Sequence, residues 1–352
     1  MLVCHWRQPL PSGVLQRLAV TAPYGFGDCH CRTYYTVVIA KKPCQYTVTV
    51  RCWNQLHHEE KRMLLSITTD FKTDQGDPAP FLRAIADAGF THIHWCHQWN
   101  TDFVYHPSEI AQIGDWLRDY GLRLADVHGS EGKEKFWYSP NEYARLAGVE
   151  LVKNRIDFAA QLGADAVVMH AYPPTQDPAL APLNERIWDQ LRKSLDALQP
   201  YAMSRGICIA LENLIDFRGV AAGAVSKAAC VDNFDLILQV YAAYPPEYIG
   251  FCYDSGHAIL GRSRMDRLAP LMERLAVLHL HDNNGEEDQH RLVFDGAVDW
   301  TLAAKLIAAA PYTKPMSYEV SMRNAGIAED VAFLQQAYTT GTRFAAMVDA
   351  HR

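Results

Sequence analysis

From Met63 onward the chain alternates short apolar runs with longer helical patterns, eight times in succession, and that order leaves few folds open. The strand-like runs are Leu64–Thr68, Thr91–Cys96, Arg123–His128, Ala166–His170, Cys208–Glu212, Tyr248–Asp254, Ala276–His281 and Met316–Val320. Helical patterns lie near 78–88, 108–120, 140–162, 183–205, 232–243, 265–274, 300–309 and 328–348. Short apolar runs alternating with helical segments read as βα units around a parallel sheet. Eight such units are what a closed barrel needs, whereas an open doubly wound sheet normally stops at about five or six strands. The expected fold is therefore α/β, a (β/α)8 TIM barrel over residues 63–352. Gly89, Gly121, Gly163 and Gly206 follow the first four helical patterns, where a C-cap calls for glycine.

Residues 1–62 are different in kind. They hold eight Lys and Arg against three acids, a charge of +5, so the remainder carries −12 of the formal −7 total. They also hold Cys4, Cys29, Cys31, Cys44 and Cys52, five of the nine cysteines. Cys29-His30-Cys31 lacks the paired spacing of a zinc finger or ribbon. Leu2-Val3-Cys4 runs straight into His, Trp, Arg and Gln, unlike the sustained apolar region of a secretory signal. Apart from strand-like stretches at 34–40 and 46–50, the segment shows no amphipathic design and reads as an irregular extension ahead of a barrel that starts at Met63.

Several function classes are excluded or disfavoured. No run approaches the ~18 apolar residues of a membrane span. No strand is followed by a dinucleotide-binding or phosphate-loop glycine signature, and no Gly-x-Ser-x-Gly elbow is present. An acidic body of −12 repels a polyphosphate backbone, which argues against nucleic acid as partner. Cys96, Cys208, Cys230 and Cys252 lie scattered in apolar segments, the pattern of reduced core thiols in a cytoplasmic protein.

The informative polar residues sit at the ends of the strands. His128, His170, Glu212, Asp254, His279 or His281, and Glu319 close the third to eighth strands in turn. In a barrel these ends meet on one face, so residues about forty positions apart become neighbours around one cavity. Three carboxylates buried together repel one another unless their pKa values rise or a cation compensates them. A divalent metal is the simpler solution, and a mixed imidazole and carboxylate set without cysteine suits a catalytic Zn²⁺ or Mn²⁺, with Co²⁺ and Mg²⁺ also accommodated.

Leu211-Glu212-Asn213, Asp254-Ser255-Gly256-His257-Ala258, His279-Leu280-His281-Asp282-Asn283, Asp288-Gln289-His290 and Tyr318-Glu319-Val320 together resemble the xylose isomerase-like TIM barrels. That superfamily holds sugar-phosphate isomerases, epimerases and endonuclease IV. The resemblance covers Met63 to about Met347. From its ketose epimerase branch it implies one metal held by Glu212, Asp254, His279 and Glu319; His279 is chosen because Asp282 completes the His-x-x-Asp pattern. From its endonuclease branch it implies further ligands for a trinuclear zinc cluster at His128, His170, His257, Asp288 and His290; His281 is a further candidate to meet metal or substrate. The arginine that epimerases carry six residues after the metal histidine is Gly285 here.

A metal flanked by two glutamates fits proton abstraction beside a carbonyl, with Glu212 and Glu319 as general bases or acids on opposite faces of the substrate. His257 would hold a substrate oxygen, while Trp95, His97 and Trp99 would form a wall against the carbon face of a sugar. Arg323 would meet a phosphate. The loop from Asn283 to Asp288 and the segment Glu131 to Tyr138 are candidate lids, and Asp299 is a helix N-cap. The expected function is thus a metal-dependent isomerase or epimerase of a small-molecule sugar or sugar phosphate, in a chain that could form a homo-oligomer. Alternatives are a zinc phosphodiesterase acting on abasic DNA and a non-catalytic sugar-binding barrel.

Overall fold

The structure is a computed structural model, described here for residues 35–41, 44–50, 64–72, 76–171, 181–215, 232–260 and 264–352. The chain separates into two units, Met1–Arg62 and Met63–Arg352. In the first, β1 (Tyr35–Lys41) and β2 (Cys44–Val50) form an antiparallel hairpin, with Tyr35 opposite Val50 and Lys41 opposite Cys44. The Cys29-His30-Cys31 cluster lies outside the described residues.

In the second unit eight parallel strands follow one another around a barrel: β3 (Leu65–Thr68), β4 (His92–Trp95), β5 (Arg123–His128), β6 (Ala166–Met169), β7 (Cys208–Glu212), β8 (Ile249–Asp254), β9 (Leu275–His279) and β10 (Met316–Tyr318). From β3 to β9 each strand pairs with the next in sequence, and β10 pairs with β3. A bridge between Leu280 and Tyr318 closes the ring, with Leu280 N donating to Ser317 O at 3.0 Å and Glu319 N to Leu280 O at 3.2 Å. The fold is the expected (β/α)8 barrel.

Helices α1 (Ala79–Asp87), α2 (Pro107–Tyr120), α3 (Glu142–Leu162), α4 (Ala181–Met203), α5 (Phe234–Ala243), α6 (Trp300–Ala309) and α7 (Asp330–Asp349) lie between and after the strands. Their ends follow local chemistry. Gly121 and Gly163 cap α2 and α3 at φ of 70° and 82°, a left-handed conformation that costs glycine little. Asp299 Oδ1 accepts from Thr301 N and Leu302 N, as an N-cap should. One expected helix is corrected: Met265–Arg274 is a 3₁₀ stretch. Pro270 supplies no amide hydrogen for an α-helical ladder, and the buried Met265, Leu268 and Leu271 recur every third residue, which suits the tighter helix.

Most of the apolar core lies between the strands and the helices, where Trp95, Phe158, Phe251, Phe333 and Phe344 are fully buried. A separate, smaller cluster of Ala166, Val168, Ala210, Cys252 and Val277 fills part of the barrel interior. Other buried strand positions are polar: Ser66, His94, Asp126 and Ser317. Among the described residues no helix is long and apolar enough to cross a membrane.

Candidate metal centre

The carboxyl ends of β7 to β10 bring four expected ligands together. One ligand atom from each of Glu212, Asp254, His279 and Glu319 lies within 4.8 Å of all the others. Glu212 and Asp254 are the last residues of β7 and β8, His279 ends β9, and Glu319 follows β10. Neighbouring motif residues fix them. Asn213 Nδ2 donates to Asp254 O at 2.9 Å, and its Oδ1 accepts from Asp254 N at 2.8 Å. Ser255 Oγ ties this corner to the next strand by donating to His281 O at 2.7 Å. Gly256 is required by close approach, since a Cβ there would sit 2.1 Å from His281 Cε1. Asp282, beyond the ligands, is buried and structural: it accepts from Val298 N at 3.0 Å and Trp300 Nε1 at 2.8 Å.

Two further groups flank this set. On one side His128, His170 and Glu212 form a buried triad, with His170 Nε2 3.2 Å from Glu212 Oε2. Glu131, from the charged run after β5, reaches the other nitrogen of His170 at 3.2 Å. On the other side Asp288 Oδ2 lies 3.4 Å from His257 Nε2 and 3.2 Å from His290 Nε2. His281 Nε2 donates to Asp254 Oδ2 at 2.9 Å, and its ring stacks on that of His290 with centroids 4.1 Å apart. Glu212 is common ground, touching His170, His257 and His279 at 3.0 to 3.4 Å.

The protonation pattern follows from this packing. Burial, helped by the neighbouring His170, lowers His128 to about 3. Burial also opposes charge on His170 and His290, but Glu212 and Glu131 around the first and Asp288 beside the second reverse it, raising each to about 10. His257 is likewise raised against its burial, by Asp254 and Asp288. Burial pushes Glu212 and Glu319 up, yet His279 holds both below the ordinary carboxylate range, with His170 assisting at Glu212. The carboxylate repulsion is therefore balanced by imidazolium protons, at positions a divalent cation would take over.

The donor set fits such a cation. Among the described residues neither ring nitrogen of His279 makes a hydrogen bond, although Nδ1 lies 3.1 Å from Glu319 Oε2 and 3.4 Å from Glu212 Oε2. Buried polar atoms are rarely left unpaired. An ion among imidazole and carboxylate donors would take the lone pair of one of the two nitrogens.

The residues expected to touch substrate separate. Trp99 lies against His128 and His170, with ring centroids 4.5 and 5.6 Å away. Its loop is held by Arg155 of α3, which donates to Gln98 O at 3.3 Å and Phe103 O at 3.1 Å. Trp95 is not brought to the cluster: it is buried against Phe158 and donates to Tyr105 Oη at 2.9 Å. His97 is partly buried beside Trp95, its carbonyl accepting from Tyr105 Oη. Arg323 is exposed and lines, with Lys72, a separate cavity of about 280 Å³. Trp137, in the second candidate lid, is a buried anchor whose Nε1 donates to His170 O at 3.0 Å.

Two site residues were missed in the sequence, His94 and Asp126, which face one another inside the barrel. The alternation His92-Ile93-His94 within an expected strand was the signal, since alternate strand residues share a face.

With this geometry established, comparison with known proteins places the chain. The xylose isomerase-like TIM barrel model matches residues 82–337. The chain belongs to that family. Uncharacterised protein y4fM of Sinorhizobium fredii is 31% identical over 291 residues, covering 77% of this chain and 89% of that protein. A probable endonuclease 4 of Mycobacterium leprae is 28% identical over 208 residues, covering 56% and 73% respectively. Among solved structures, a D-tagatose 3-epimerase-like protein matches with a TM-score of 0.60 at 19% identity, over 82% of this chain and 99% of its own. D-allulose 3-epimerase from Methylomonas sp., in complex with D-allulose, matches with a TM-score of 0.57 at 17% identity, over 82% and 98%. Solved structures of this shape thus include a sugar epimerase.

Proposed function

We propose that residues 63–352 form the catalytic domain of a divalent-metal-dependent isomerase or epimerase acting on a sugar or sugar phosphate. The observation that carries this is the convergence of Glu212, Asp254, His279 and Glu319 ligand atoms within 4.8 Å. Zn²⁺ or Mn²⁺ suits these donors best, with Co²⁺ and Mg²⁺ as further possibilities. A bound ion would supply a Lewis acid beside the substrate carbonyl, offsetting the negative charge of an enediolate. One of Glu212 and Glu319, on strands three positions apart around the ring, would take a proton from the carbon as a carboxylate; returned by the same group it gives isomerisation, and delivered to the opposite face by the other glutamate, then protonated, it gives epimerisation. Both carboxylates are held ionised, as a base must be before it accepts a proton. Trp99, beside His128 and His170, would give an apolar surface to the sugar ring. Buried unbridged thiols at Cys96 and Cys252 suit a cytoplasmic setting.

A second reading rests on the two flanking groups. His128, His170 and Glu212, with His257, Asp288 and His290, offer places for second and third ions, as a zinc phosphodiesterase acting on abasic DNA would need. The acidic balance of residues 63–352 weighs against a DNA partner.

Elemental analysis of protein purified without added metal separates the readings. About one Mn or Zn per chain, lost in Glu212→Gln and kept in His128→Ala, together with turnover of a ketose or its phosphate, supports the isomerase. Two or three zincs, falling in His128→Ala, with nicking of an abasic duplex, supports the phosphodiesterase.

A further inference from the structure

We propose that His94, backed by Asp126, is an additional protein ligand of the ion held at His279 and Glu319. This rests on the reading of the cluster as a metal centre and adds a donor from β4, on the opposite side of the ring from β8. His94 and Asp126 are both fully buried inside the barrel, where branched apolar side chains normally pack. A carboxylate and an imidazole placed there carry a desolvation cost that calls for a compensating role. Asp126 Oδ1 accepts from His94 Nδ1, which leaves the lone pair on Nε2. That Nε2 is buried and has no hydrogen-bond partner among the described residues.

The surroundings of His94 are the metal donors themselves. Its ring lies 4.5 Å from that of His279, centroid to centroid, and 5.9 Å from that of His128. One ligand atom each of His94, His279 and Glu319 lies within 4.8 Å of the other two. Donors bound to one ion at about 2.1 Å can be no more than about 4.2 Å apart, so shifts of a few tenths of an ångström close this set. A carboxylate behind the distal nitrogen is the arrangement that orients a metal-binding histidine and raises its basicity. Nε2 of His94 and both ring nitrogens of His279 are buried without a hydrogen-bond partner among the described residues, and one cation between the rings would take the lone pair of one nitrogen from each.

The test uses the full chain, stripped of metal and titrated with Co²⁺ while the visible absorption bands are followed. His94→Gln is expected to weaken Kd by tenfold or more and to change the band positions, because a ligand is lost. Asp126→Asn, which keeps the imidazole, is expected to weaken Kd about 10- to 100-fold. Unchanged affinity and spectrum in both folded variants overturn the proposal; if Glu319→Gln still weakens binding in parallel, the metal-centre reading survives. No uptake of Co²⁺ or Zn²⁺ by the wild-type chain sinks both. Should the variants misfold, ¹⁵N spectra of wild-type protein loaded with ¹¹³Cd decide directly: a ¹¹³Cd coupling at His94 Nε2 is expected, and its absence at a site where His279 shows one refutes the assignment.

Discussion

Raising the pH from 6 to 8 should tighten metal binding steeply, by an amount that the arrangement of imidazoles sets. A metal-ligating histidine must be neutral, so every imidazolium in the stripped site releases a proton when the ion enters. In the triad of His128, His170 and Glu212, His128 is already neutral, lowered to about 3, while His170 is raised to about 10. One proton is displaced, and affinity should rise about tenfold per pH unit, or roughly 100-fold over the interval. In the group of His257, Asp288 and His290, His290 is raised to about 10 and His257 is raised as well, so the gain should exceed that of the triad. Isothermal titration calorimetry with Zn²⁺ in buffers of different ionisation enthalpy counts the protons directly. Affinity independent of pH, with no proton released, would refute the charge balance described for the cluster. The stripped protein should behave in the opposite sense. His170 and His290 have folded pKa values of about 10 against about 6.5 unfolded, so their stabilising contribution is complete below about pH 6.5 and is lost between there and about pH 10. Thermal melts of stripped protein should therefore fall across that window, while zinc-saturated protein resists the decline.

Other perturbations have equally definite outcomes. Glu212→Gln removes the carboxylate common to all three imidazole contacts and should abolish both metal retention and sugar turnover, read by elemental analysis and a coupled ketose assay. Gly256→Ala drives a methyl group into the His281 ring and should cost about 1–3 kcal/mol in a denaturant melt, with weakened metal binding; a neutral result would mean the corner is more pliant than its 2.1 Å approach implies. Arg155→Met leaves the carbonyl of Phe103 without this donor, at about 1–3 kcal/mol, while Gln98 O keeps Thr101 Oγ1 at 3.1 Å, and should raise KM for substrate more than it lowers kcat by loosening Trp99. Asp299→Ala removes the acceptor for two amides at the start of α6 and should lower stability by about 1 kcal/mol without touching metal content.

The order of elements was legible in the sequence because each βα unit is specified locally, by a short apolar run, a helical pattern and a glycine stop at positions such as Gly121 and Gly163. The boundaries shifted where pairing partners decide them. His281 lies beyond β9 because only the Leu280–Tyr318 bridge continues the ladder there. The 3₁₀ stretch at Met265–Arg274 was hidden by an apolar pattern that fits either helix, until Pro270 is considered.

That Glu212, Asp254, Glu319 and one of His279 and His281 share a face was legible in chain order around a barrel, while the choice of His279 came from the family resemblance. What lies around them did not follow from chain order. Trp95 and Trp99 are four residues apart, yet one packs under α3 and the other against His128 and His170, because the loop after β4 turns under the pull of Arg155. His94 and Asp126 stand on different strands, and only barrel closure sets an Asp–His pair beside His279. Local pattern can name which residues face inward; which inward residues touch depends on register, stagger and closure, and those are properties of the assembled sheet.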